Sequence, residues 1–198
     1  MNGKFTEVAQ GSDVEDAMER IVGGRNATCE EFPHQVSFVV NNSYFCGGFI
    51  ISESYIMTAA HCAQDVDPST VVMRIGSTWR KNGTTVTVAE VIPYPEYDNP
   101  PYDKDVAVMK LAEPLEFDAC TQPIALPPKA LSARYGEIMT VSGWGRTKGD
   151  SGGIGTIDNV ARGIVSFGRG CGQPLAPSVF TDISAPEMRD FITKHTGL

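Results

Sequence analysis

Residues 84–92 read Thr-Thr-Val-Thr-Val-Ala-Glu-Val-Ile. Thr85, Val86, Thr87 and Val88 alternate hydroxyl and aliphatic side chains at a period of two, and all are β-branched. That pattern suits a half-buried, pleated strand rather than a helix, because successive side chains point to opposite faces. Asn82-Gly83 before it and Pro93 after it are turn residues, so one strand is expected over 84–92. Working outward, short apolar runs recur at 35–40, 47–51, 71–75 and 105–111. Pro95, Pro100-Pro101, Pro127-Pro128 and most of the 20 glycines separate them. The fold class read from this pattern is all-β.

The C-terminal end alone has helical signals. Ser184 can cap, Pro186 suits a first turn, Glu187 completes a capping box, and Met188, Phe191 and Ile192 share one face. A terminal helix is expected from Ala185 to about His195. At the other end, Lys4 and Arg20 stand against Glu7, Asp13, Glu15, Asp16 and Glu19, giving residues 1–20 a charge of −3. With few apolar positions, this stretch reads as a solvated leader. It has no apolar core segment of the secretory kind, so it reads as neither a signal peptide nor an anchor.

The 198 residues carry 41% hydrophobic and 20% charged side chains, a globular balance, and no apolar run reaches membrane-spanning length. A net charge of −8 argues against binding nucleic acid or anionic lipid. The cysteines at 29, 46, 62, 120 and 171 form no Cys-x-x-Cys pair, which leaves a zinc ribbon unsupported. Their number is odd, and their connectivity does not follow from sequence, although Cys29 and Cys120 are a possible pair. Sequons at Asn26, Asn41 and Asn82 fit a secreted protein in an oxidising compartment.

Chemistry concentrates in short stretches. His61 in Thr-Ala-Ala-His-Cys is the best general base among three histidines. Asp105, followed by Val106-Ala107-Val108, can orient an imidazole from a buried strand end. Ser151 in Gly149-Asp150-Ser151-Gly152-Gly153 is the candidate nucleophile. The glycines there let the amides of Gly149 and Ser151 converge on one point as an oxyanion hole. Taken alone, Asp-Ser-Gly-Gly is an ordinary turn and His61 an ordinary half-buried ring.

Taken together and in order, with Arg20-Ile21-Val22-Gly23-Gly24 and Gly143-Trp144-Gly145, these segments resemble the trypsin/chymotrypsin-like serine endopeptidases. The resemblance covers residues 21–145 and 149–198. It implies a chymotrypsin-like double antiparallel β-barrel with a C-terminal helix, the first barrel over about 35–125 and a partial second barrel over about 136–184. It implies residues 1–20 as an activation propeptide, a zymogen cut after Arg20, and a new Ile21 ammonium that pairs with Asp150. It implies a disulfide between Cys46 and Cys62, and a substrate-binding segment at Ser166, Phe167 and Gly168 in which Ser166 helps hold Asp105. Ser178 falls where trypsin-like pockets usually have glycine. The usual partner of Cys171 is missing, and Met139 and Ile157 stand where many relatives have another bridge.

The expected function is a secreted, monomeric serine endopeptidase acting on protein or peptide substrates through an acyl-enzyme. An activating protease and protein inhibitors are the further expected partners. No cofactor or metal is expected; there is no acidic residue between Asp67 and Glu90 to form a calcium loop. The chain departs from the pattern in length. His61 to Asp105 is ordinary, but Asp105 to Ser151 is only 46 residues, far less than the resemblance implies. Between Gly145 and Gly149 stand only Arg146, Thr147 and Lys148, where strands of the second barrel and the base of the specificity pocket belong. The alternatives are therefore an impaired or non-catalytic homologue acting by protein binding, or an incomplete splice or gene-model product.

Overall fold

A computed structural model describes residues 6–9, 24–40, 44–144, 153–168 and 178–198. Among them the chain forms β1 (Thr6–Ala9), β2 (Arg25–Asn26), β3 (Gln35–Val40), β4 (Tyr44–Ile50), β5 (Tyr55–Thr58), β6 (Val71–Ile75), β7 (Thr84–Val86), β8 (Val88–Pro93) and β9 (Ala107–Leu111). It continues with β10 (Thr140–Gly143), β11 (Ile154–Ile157), β12 (Val160–Gly168), β13 (Ser178–Asp182) and an α-helix, α1 (Pro186–Thr196). None of the described helices is long and apolar enough to cross a membrane.

The strands form two sheets. The first has the order β7-β6-β3-β4-β5-β9-β8. Its two edges, β7 and β8, are separated in sequence by Thr87 alone. One residue cannot bridge a flat sheet of seven strands, since strands lie about 4.8 Å apart, so the sheet must curl until its edges meet. Here the sequence expectation needs correction: 84–92 is not one strand but two. The alternation itself holds, with Val86 half-buried, Val88 buried and both Thr85 and Thr87 exposed. What periodicity could not reveal is the bend at Thr87, where the chain leaves β6 to pair with β9.

The second sheet has the order β13-β12-β11-β10-β1-β2. β10 to β13 are joined antiparallel, and among the described residues the sheet has β13 and β2 at its ends. Its fifth strand is unexpected. Thr6–Ala9, part of the stretch read as a solvated leader, pairs parallel with β10 and with β2.

The core is continuous across both sheets. Phe38, Phe49, Ile56, Met57, Met73 and Met109 from the first sheet are fully buried, as are Ile154 and Ile164 of the second. The helix adds Met188, Phe191 and Ile192, the face read from the sequence. Gly48 is required where β4 crosses β5, since a Cβ there would lie 2.8 Å from the Met57 carbonyl oxygen. A buried polar contact also joins the sheets: Ser142 Oγ donates to Gln35 Oε1 at 2.8 Å.

The helix start differs from the expectation by its cap. The N-cap is Ala185, with no side-chain hydrogen bond, and no capping box forms. Ser184 is buried and its hydroxyl is already committed to Asp182 Oδ1 at 2.7 Å. At the far end Gly197 takes the left-handed conformation that closes a helix, with φ 78°.

Candidate active site

The site is built where two paired strands end. β5 and β9 run antiparallel with Thr58 opposite Ala107. The chain leaving β5 passes Ala59 and turns into a 3-10 helix at Ala60–Cys62, while the chain entering β9 arrives through Asp105 and Val106. Register therefore carries His61 and Asp105 to the same end of the sheet. Ala59 and Ala60 are fully buried, and their small side chains let the 3-10 turn sit close to the strands. A disulfide from Cys62 to Cys46 ties this turn to β4.

Asp105 is 1% exposed and is held by four contacts from three residues. His61 Nδ1 lies 2.7 Å from Oδ2, and the His61 backbone N–H donates to Oδ1 at 2.8 Å. Ser166 Oγ, from β12 in the other sheet, donates to Oδ2 at 2.5 Å. Thr181 Oγ1, from β13, donates to the Asp105 carbonyl at 3.0 Å. Burial pushes the carboxyl pKa up, but the bonds and charge of His61 and the Ser166 hydroxyl outweigh it and hold the group below its ordinary value. The carboxylate is thus an acceptor, which places a proton on His61 Nδ1 and leaves Nε2 as the basic nitrogen. Nε2 is buried and has no hydrogen-bond partner among the described residues. Such an imidazole can take a proton from a group placed against Nε2 and give it back.

Of the residues singled out in the sequence, the structure brings together His61, Asp105 and Ser166. Phe167 and Gly168 follow Ser166 on β12 and pair with Val179 and Ser178 of β13. Ser178 is exposed. Arg20, Ile21, Gly149, Asp150, Ser151 and Cys171 lie outside the described residues. Cys29 and Cys120 form the second disulfide, the pairing the sequence left open. Met139 lies over Gly155 of β11, where an added Cβ would collide with its sulfur, and Ile157 is buried. Among the described residues, the two His/Cys/acid clusters with ligand-like spacing both use cysteines already spent in disulfides.

Two neighbours were not read from the sequence. Thr181 sits in a plain strand and carries no motif. Tyr102, in the turn after Pro100-Pro101, stacks on Phe167 with ring centroids 4.7 Å apart. The positive φ of 65° at Tyr102 is supported by an Asp98 side chain that accepts its backbone N–H at 2.7 Å. Behind them is a cavity of about 220 Å³, lined by Tyr102, Ser166, Val179, Phe180 and Thr181 among others.

Comparison with known proteins agrees with this architecture. The trypsin family model matches residues 21–149. Trypsin 5G1 of Aedes aegypti is 31% identical, over 90% of this chain and 86% of its own length. Hypodermin-B of Hypoderma lineatum is 30% identical, over 96% of this chain and 93% of its own. The Aedes alignment runs over 231 positions, more than the 198 residues here, so that relative carries residues this chain lacks. Among solved structures, the scabies mite inactivated protease paralogue S-D1 superposes with a TM-score of 0.79 at 20% identity, covering 89% of this chain and 98% of that one. HL collagenase gives 0.76 at 24% identity, covering 90% and 99%. With a matching family model over most of its length, a relative above 30% identity and the shared fold, the chain belongs to the trypsin family of serine endopeptidases.

Proposed function

We propose that the protein is a secreted serine endopeptidase in which Ser151, His61 and Asp105 cleave peptide bonds through an acyl-enzyme. The observation that carries this reading is the buried Asp105 carboxylate holding His61 Nδ1 while Nε2 is left unpartnered among the described residues. In the proposed reaction Ser151 Oγ attacks the scissile carbonyl carbon as its proton passes to His61 Nε2. The backbone N–H groups of Gly149 and Ser151 donate hydrogen bonds to the developing oxyanion. The carbon–nitrogen bond then breaks, the imidazolium gives its proton to the leaving amine, and the acyl group remains as a Ser151 ester. Water, deprotonated by Nε2, attacks the ester, and the proton returns to Ser151 as the acid leaves. The extended segment Ser166 to Gly168 is assigned to pairing with the substrate backbone, with Ser178 on the neighbouring strand narrowing the pocket.

The zymogen reading assigns cleavage to the Arg20-Ile21 bond and pairs the new Ile21 ammonium with Asp150. Two disulfides support an oxidising, extracellular destination. Protein or peptide substrates follow from the family; an activating protease and inhibitors are the further partners proposed. A serine-directed phosphonylating probe tests the core of this reading. It is expected to label Ser151 once N-terminal sequencing reads Ile-Val-Gly-Gly, and Ser151→Ala is expected to abolish the label. Labelling at another residue only, or labelling that persists in the alanine variant, excludes Ser151 as nucleophile.

A further inference from the structure

β10 has two flanks. On one, β11 pairs antiparallel, with Ser142 opposite Ile154. On the other lies β1, parallel, with Thr6 opposite Thr140, Glu7 opposite Val141, Val8 opposite Ser142 and Ala9 opposite Gly143. Without β1, the alternate residues of β10 that face this flank would present unpaired N–H and C=O groups, an open template for another chain. The far side of β1 is also occupied: Val8 stands opposite Arg25 and Ala9 opposite Asn26.

β2 is itself held by the body of the protein. The Arg25 guanidinium donates to both carboxylate oxygens of Glu31, at 3.1 and 2.5 Å, and Glu31 also accepts the Thr28 backbone N–H at 2.9 Å. Just beyond, Cys29 is bonded to Cys120. Residues 6–9 therefore fill a slot bounded on each side by a strand anchored elsewhere. Backbone pairing to those strands does not depend on an intact Arg20-Ile21 bond.

We propose that residues 6–9 are an intramolecular donor strand that covers the β10 edge, and that the leader stays seated by this pairing after the chain is cut at Arg20. The second clause rests on the zymogen reading above; the first does not. A leader seated in this way is structural, unlike a tail shed on activation. Its loss would leave β10 and β2 both open and the second sheet prone to pairing with other molecules.

Two measurements on the full chain test this. In the uncut protein, Glu7→Pro/Val8→Pro removes two backbone donors and imposes the proline φ on β1. Amide exchange over residues 139–144 is expected to rise about tenfold or more, with the β3 to β6 region unchanged. An unchanged rate at 139–144 overturns the donor-strand assignment, whatever the protein's activity. The unmodified chain supplies the second reading. After limited trypsin treatment, with cleavage verified by an Ile-Val-Gly-Gly terminus, the peptide 1–20 is expected to co-elute with residues 21–198 on native gel filtration and to part from them in denaturant. Separation on the native column overturns retention. An uncut chain that runs as a dimer, and loses β10 protection on dilution to monomer, overturns the intramolecular form in favour of strand exchange between copies.

Discussion

Asp105 shows how much of a site can hang on one side chain. Its carboxylate collects bonds from His61 and Ser166, residues contributed by different sheets, so the site joins the two halves of the protein. Ser166→Ala removes one charge-assisted bond and is expected to lower kcat by about tenfold, a fraction of the ~1.5–3 kcal/mol such bonds contribute, with KM nearly unchanged. Ser166→Thr, which keeps the hydroxyl, is expected to restore most of it; steady-state kinetics on an ester substrate checks both. His34 is the opposite case, a buried ring whose Nε2 has no partner among the described residues. Desolvation lowers its pKa from 6.5 to about 4. The unfolded chain therefore binds a proton before the folded one does, and stability is full above pH 6.5 and falls as pH drops toward 4. The loss at pH 5 is expected to be about 2 kcal/mol relative to neutral pH. His34→Phe should flatten that part of the profile, as measured by urea melts at pH 7 and pH 5.

At the scale of elements, the position of His61 depends on how closely β4 and β5 approach. Thr58 Oγ1 donates to the Gly47 carbonyl at 2.7 Å, and the next residue, Gly48, faces the Met57 carbonyl with no room for a side chain. The obstacle is backbone, which cannot rotate away. Gly48→Ala is expected to cost about 1–3 kcal/mol, the usual range for overpacking, and to reduce activity through the shifted end of β5. A urea melt and a turnover measurement on the same sample check the two effects. These elements were partly legible beforehand. The runs at 35–40 and 71–75 coincide with β3 and β6 because alternation and turn residues agree there. The single strand read over 84–92 was wrong at Thr87, because period-two alternation continues smoothly through a bend that moves the chain from one sheet edge to the other. The Ser184 cap was wrong because a tertiary partner, Asp182, had first claim on the hydroxyl.

Across the whole molecule the two sheets differ in closure. The first closes on itself at Thr87; the second, among the described residues, ends at β13 and β2. Open edges have fewer cooperative neighbours, so amides over residues 154–168 and 178–182 are expected to exchange faster than those over 35–75. Exchange measured by mass spectrometry decides this; equally slow exchange in both sheets would show that the open sheet is as cooperative as the closed one. The core crosses the boundary, with Ile154 and Ile164 packed in the same cluster as Phe38 and Met57, so the second sheet is expected to loosen without detaching.

The motifs around His61 and Asp105, the all-β class and the apolar face of α1 were all readable from the chain. They are local facts, set by residue type, spacing and period. The short distance between Asp105 and Ser151 was also readable. The pairing of residues 6–9 is tertiary: they lie beside β10, over 130 positions away in sequence, and no period or propensity in Thr-Glu-Val-Ala names a partner strand. Closure at Thr87, the contribution of Thr181 to Asp105 and the stacking of Tyr102 on Phe167 have the same cause. Each depends on which surfaces meet once the chain has folded, and strand pairing and packing are selected by the whole set of contacts rather than by any one segment.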